Sequence, residues 1–260
     1  MLDLQDINFT IDRAEILSGI SASFMPGEMS VVIGPNGSGK STLLKIASGE
    51  MAPAAGKVFY GDTQITKANG YEAATYRGVL TQHSELNFPL SVWEVIMMGR
   101  YPHFKNKPTA HDHEVVKAVM TQFHLHPFRE RSYLTLSGGE RQRVHFARVL
   151  AQLWHKNSEG FRYLLLDEPV SFLDLNYQHG FLKTAKEISR SGDVVMAVLH
   201  DINLAALYAD KIFVLKEGRL IASGTPAEII TPDLIYDLYQ LRCQVQVTED
   251  GFPYILVMGN

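Results

Sequence analysis

The chain has 260 residues, with 24 Lys and Arg against 28 Asp and Glu, a formal net charge of −4 and 46% hydrophobic residues. That is an ordinary globular composition, which excludes intrinsic disorder and a fibrous repeat, and its length suits one large domain or one domain with an insertion. The acidic balance offers no broad basic face, so nucleic acid is not an expected partner. The single cysteine, Cys243, excludes an internal disulfide framework. No stretch reaches the ~18 to 20 apolar residues of a membrane span. Asp3 and Asp6 stand where a signal peptide would be basic.

Strands are predicted over 2–10, 20–24 and 29–33, the last two separated by Pro26 and Gly27. A helix starting at Lys40 ends near Gly49, with Leu43, Leu44 and Ala47 on its apolar face. Residues 57–60 and 63–65 form a hairpin around Gly61 and Asp62, and 76–80 is a further strand. Helices at 92–98, 113–123 and 139–153 follow, broken by Pro102, Pro108 and Pro127. Strand patterns return at 163–166, 194–199 and 211–215 with helical stretches between them, an alternation that indicates parallel βαβ units. Short helices at 226–230 and 232–239 and strands at 244–247 and 254–257 close the chain.

Gly34-Pro35-Asn36-Gly37-Ser38-Gly39-Lys40-Ser41 fits the P-loop pattern between an apolar strand and an amphipathic helix, the context it requires. The glycines let backbone N–H groups close around phosphate oxygens, and the helix presents its positive end. Lys40 would bridge the β- and γ-phosphates and the Ser41 hydroxyl would bind Mg²⁺, with Asn36 and Thr42 adding phosphate contacts. A nucleoside triphosphate and Mg²⁺ are therefore expected to bind here.

The run Tyr163-Leu164-Leu165-Leu166 ends in Asp167 and Glu168, carboxylates at the sheet edge where open α/β folds bind ligands. Asp167 would hold Mg²⁺, and Glu168 would orient or deprotonate the water that attacks the γ-phosphate. His200, after the strand at 194–199, is placed to donate to the γ-phosphate. Gln82, after the strand at 76–80, could meet Mg²⁺ or the lytic water.

Leu136-Ser137-Gly138-Gly139-Glu140, followed by Arg141, Gln142 and Arg143, resembles the signature sequence of ABC-type ATPases. Physically it reads either as an N-cap with a capping glutamate or as a second anion nest at a helix N-terminus. The resemblance covers nearly the whole chain. It implies an α/β fold: a P-loop NTPase core with an antiparallel β-subdomain and an inserted α-helical subdomain. The expected division is a core of 1–84 and 156–260 with a helical insertion at 85–155, all within a single domain.

The resemblance also implies that Ser137, Gly138 and Gly139 address ATP held by the P-loop of a second copy, so that a homodimer sandwiches two ATP molecules. Gln82 then matches the Q-loop, Asp167 and Glu168 the end of the Walker B strand, and His200 the switch histidine. Ser171-Phe172-Leu173-Asp174 resembles the D-loop, with Asp174 acting across the dimer. The aromatic residue that stacks on adenine falls near Ile11, so the base would pack on Ile11 or Phe9; Val170 replaces a threonine.

Gly99-Arg100-Tyr101-Pro102-His103, and the long stretch from Ala151-Gln152-Leu153-Trp154-His155 to Arg162, are similar to import ATPases that serve iron–siderophore, haem and cobalamin permeases. Within that group the haem import ATPases are nearest. The implied partners are two transmembrane permease subunits and, indirectly, a periplasmic substrate-binding protein. The implied place is the cytoplasmic side of a bacterial inner membrane. His111 with His113, and His124 with His126, are expected to decorate exposed surfaces rather than to ligate haem iron. A soluble ABC ATPase acting on ribosomes or DNA is the alternative, disfavoured by the single nucleotide domain.

Overall fold

The computed structural model describes residues 1–81, 86–157, 160–171 and 173–258. Twelve strands and nine α-helices are assigned among them. The strands are β1 (Leu2–Ile11), β2 (Ala14–Phe24), β3 (Met29–Ile33), β4 (Ala55–Tyr60), β5 (Thr63–Gln64), β6 (Arg77–Leu80), β7 (Tyr163–Asp167), β8 (Val194–Val198), β9 (Lys211–Lys216), β10 (Arg219–Gly224), β11 (Cys243–Val247) and β12 (Pro253–Val257). The helices are α1 (Lys40–Ala47), α2 (Gly70–Ala73), α3 (Val92–Met98), α4 (Ala110–Gln122), α5 (Gly138–Gln152), α6 (Leu175–Arg190), α7 (Ile202–Tyr208), α8 (Pro226–Ile229) and α9 (Pro232–Tyr239).

The central sheet runs β10-β9-β3-β8-β7-β6, parallel except for the edge strand β10. Its middle strands β3, β7 and β8 are buried at every position, as a sheet covered on both faces requires. Alternate residues serve opposite faces. Val31, Ile33, Leu164, Leu166, Val195 and Ala197 join α5, α6, α7 and α9 in one core. Val32, Tyr163, Leu165, Met196 and Val198 pack on the other side, against α1 and the antiparallel sheet β2-β1-β4-β5.

Between β6 and β7 the chain builds a third core of its own from α3, α4 and α5, centred on Val95, Ile96, Val116, Val119 and Val144. A buried ion pair ties its parts together. Arg100 Nε lies 2.9 Å from Asp112 Oδ1, and Arg100 Nη1 donates to the Ala151 carbonyl at 2.7 Å. Thr109 caps α4 in a reciprocal box with Asp112. Among the described residues no helix is long and apolar enough to cross a membrane.

Three elements differ from the sequence expectation. The second strand starts at Ala14 rather than near Ile20, because the β1–β2 register shifts at bulges that break the alternation. The edge strand β10 and the single-turn α2 carry too little periodicity to read from sequence.

Candidate active site

The sheet register assembles the site. Val198 of β8 stands opposite Val32 of β3 on one side and Asp167 of β7 on the other. The segments that leave these strands at the same level carry Gly34, His200 and Glu168. Of these, Glu168 and His200 line one cavity of about 320 Å³ with Asn36, Gly37, Gly39, Lys40, Ser41 and Thr42.

The loop after β3 tolerates no side chain at its start. A Cβ on Gly34 would meet the Leu215 carbonyl oxygen at 2.0 Å and Ser38 Oγ at 2.9 Å. Gly39, at φ +100, is the N-cap of α1 and turns the chain into the helix in a conformation that favours glycine. Lys40 is buried, and its Nζ donates to the carbonyls of Gly34 and Pro35, each at 2.8 Å. Burial lowers its pKa, opposed by the nearby charges of Glu168 and Asp167.

Ser41 Oγ donates to Asp167 Oδ1 at 3.1 Å, joining the first turn of α1 to the end of β7. Burial raises the Asp167 pKa, against the hydrogen bond from Ser41, and the Glu168 charge adds to the rise. A hydroxyl and a carboxylate oxygen at this spacing suit adjacent positions of a small hard cation, since Mg²⁺ takes oxygen ligands at about 2.0–2.1 Å with near-octahedral angles.

Glu168 adopts φ +49, a left-handed backbone that non-glycine residues rarely occupy. Its N–H donates to the Val198 carbonyl at 3.1 Å, and its carboxylate pairs with His200 Nε2. The Glu168 side chain is 10% exposed and that of His200 41%. The carboxylate therefore points inward and the imidazole stands at the cavity mouth.

Ser137 caps α5 in a reciprocal box: its hydroxyl accepts the Glu140 N–H, and Glu140 Oε2 accepts the Ser137 N–H at 2.7 Å. The capping reading is therefore realised, and it leaves Gly138 and Gly139 in the first turn, where N–H groups lack intrahelical partners. Ser137 and Gly139 line a separate cavity of about 370 Å³ with Asp174 and Tyr177. Asp174 caps α6 by accepting the Tyr177 N–H at 3.1 Å.

The structure thus brings Gly37, Gly39, Lys40, Ser41, Thr42, Asn36, Glu168 and His200 into one cavity, with Asp167 attached through Ser41. Pro35 and Ser38 complete the loop, and Ser38 is buried behind Gly34. Asp174 joins the Ser137 cavity instead, and no lining residue is common to the two. Gln82 lies outside the described residues. Ile11 lines the first cavity, 47% exposed, together with Ile16, whereas Phe9 packs on the antiparallel-sheet core. Sequence reasoning missed Ile16, Arg143 and Tyr177. Arg143 stacks over the Tyr177 ring at 5.0 Å and lines the second cavity. Its place on the Ser137–Glu140 face of α5 was the available signal.

Comparison with known proteins gives four likenesses. The family described as ABC transporter matches residues 17–171. The hemin import ATP-binding protein HmuV of Gloeobacter violaceus is 40% identical over 100% of this chain and 95% of its own. An inward-facing structure of an ABC transporter described as of metal-chelate type is 26% identical, with a TM-score of 0.82 over 99% of this chain and 97% of the other. The dimeric structure of MJ0796, a bacterial ABC transporter cassette, is 24% identical with a TM-score of 0.75 over 86% and 98%, a likeness of fold.

Proposed function

The chain belongs to the ABC transporter family, and on that premise we propose that it is the ATP-hydrolysing motor of a bacterial haem importer. As a member it is an ATPase coupled to transport. The observation that carries the catalytic reading is Glu168, held at φ +49 and paired with His200 in the cavity that contains Lys40 and Ser41. The haem reading rests on the 40% identical hemin import relative.

In this reading the loop from Gly34 to Gly39 and the N-terminus of α1 bind the phosphates, and Lys40 exchanges its loop carbonyls for phosphate oxygens. Ser41 and Asp167 would hold Mg²⁺, with Gln82 as a further ligand; bound there, Mg²⁺ neutralises phosphate charge. Glu168 takes the proton of the attacking water, and His200 orients that carboxylate and donates to the γ-phosphate. Ser137, Gly138 and Gly139 of a second copy close over the nucleotide, because their cavity is separate from the P-loop cavity within one chain. A cassette of the same fold is dimeric. Asp174 acts across that interface.

The helical insertion, residues 85–155, moves when the dimer closes against the core of 1–84 and 156–260. A groove of about 570 Å³ on it in each copy, lined by Trp93, Met97, Tyr101 and Phe104, would receive a helix of one of the two permease subunits. The motor then sits at the cytoplasmic face of the inner membrane, fed by a periplasmic binding protein on the far side. ATP energy reaches transport only through the permease's different affinity for the closed and open dimers.

The test is haem uptake, alongside cobalamin and ferric-siderophore uptake, in cells lacking the protein. Loss of haem uptake alone supports the assignment, and loss of another cargo alone overturns it. Separation from integral membrane proteins during purification, with sedimentation on ribosomes, would overturn the transport reading itself.

A further inference from the structure

His111 and His113, two residues apart on α4, take different partners. His113 stacks on Trp93 with centroids 5.8 Å apart, and His126 Nε2 bonds Thr121 Oγ1 at 2.9 Å. His111 instead reaches the segment beyond α5, where its Nε2 lies 3.2 Å from His155 Nε2. The two ring centroids are 5.2 Å apart and both residues are exposed.

Two imidazoles that bind one ion at about 2.0–2.1 Å with a tetrahedral angle bring their nitrogens to about 3.3 Å, close to the spacing found here. The far nitrogen of His111 faces a carboxylate, Glu114 Oε2, at 3.9 Å. Carboxylates on the outer nitrogen orient ligating histidines. The segment carrying His155 is fixed from behind: His103 Nε2 bonds the Gln152 carbonyl at 2.8 Å, and its ring lies 5.5 Å from that of His155. The buried cation Arg100 is compensated by Asp112 at 2.9 Å. Among the described residues no group of three or more His, Cys, Asp or Glu is disposed around a metal. Solvent would complete the coordination beside these two residues.

We propose that His111 and His155 form a two-histidine chelate for a borderline divalent ion of the Zn²⁺ or Ni²⁺ class. Imidazole ligands select such ions over Mg²⁺. The ion would staple the first turn of α4 to the segment after α5. This joint adjoins Tyr101, which shares a turn with His103 and lines the groove assigned above to the permease. The metal site itself stands whether or not that groove binds a permease.

Equilibrium dialysis of the full chain against ZnCl₂ at pH 8, without nucleotide or Mg²⁺, tests the chelate. His111→Ala and His155→Ala should each lose one equivalent of Zn²⁺, or weaken it at least tenfold. His124→Asn, at a left-handed position that asparagine accepts, should bind as the unaltered protein does. Equal binding by all four proteins, loss in only one of the two alanine variants, or no uptake by the unaltered protein at 100 µM Zn²⁺ would each overturn the proposal.

Discussion

Removing the Asp112 carboxylate should destabilise the helical insertion more than its short side chain suggests. Asp112 Oδ1 pairs with Arg100, while Oδ2 accepts the Thr109 N–H at 2.8 Å and its hydroxyl at 2.7 Å. The side chains of Arg100 and Asp112 are only 1% and 3% exposed, so solvent does not screen the pair. Asp112→Ala leaves a buried guanidinium whose remaining partner is the Ala151 carbonyl, a defect worth about 3–5 kcal/mol. Arg100→Met should cost less, because Asp112 keeps both Thr109 bonds. The double variant should recover about 1–3 kcal/mol relative to the sum of the single variants.

The same carboxylate makes stability depend on pH in a defined direction. Burial pushes its pKa up, but the Thr109 hydroxyl, the Thr109 N–H and Arg100 outweigh burial and hold it at about 2, against an ordinary 3.8. The difference corresponds to roughly 2 kcal/mol. A depressed folded pKa means that this contribution is complete above 3.8 and is lost as pH falls towards 2. Urea unfolding at pH 7, and a pH series down to 2.5, should show the gap between the unaltered protein and Asp112→Ala narrowing below pH 4. A cost under about 1 kcal/mol at pH 7, strict additivity, or a gap independent of pH would refute this account of the pair.

Other predictions concern the nucleotide cavity and the groove. Gly34→Ala places a Cβ 2.0 Å from the Leu215 carbonyl oxygen. It should lower stability by about 1–3 kcal/mol and weaken ATP at least tenfold, read by thermal unfolding and nucleotide titration. His200→Ala removes the imidazole that pairs with Glu168 and should reduce kcat by about 100-fold while ATP affinity changes little. Trp93→Ala, in the groove with Tyr101 and Phe104, should abolish co-purification with membrane subunits and leave ATPase turnover of the isolated protein within twofold.

Much of this site is legible in sequence because its parts are local. The phosphate loop needs its glycines between one strand and one helix, and the carboxylates simply end a buried apolar run. Their convergence depends on sheet order, which places Val198 beside both Val32 and Asp167; the βαβ alternation implies parallel strands but not which become neighbours. The left-handed backbone of Glu168 leaves no trace in composition, since glutamate does not announce such a conformation. The histidines make the same point. Residues two apart on a helix do not face each other, so 111 and 113 part, while packing of α4 on α5 brings 111 to 155. The first half of β2 escaped because bulges disturb its alternation, and β10 because an edge strand carries a weak apolar pattern.

The central claim is that Glu168 drives hydrolysis in a site completed by a second copy. It is tested most directly by the mass and nucleotide content of purified Glu168→Gln with Mg²⁺ and ATP. The expected result is a stable dimer with one unhydrolysed ATP per chain and turnover reduced at least 100-fold. A Glu168→Gln protein that stays monomeric with ATP bound, or hydrolyses at the unaltered rate, would contradict it.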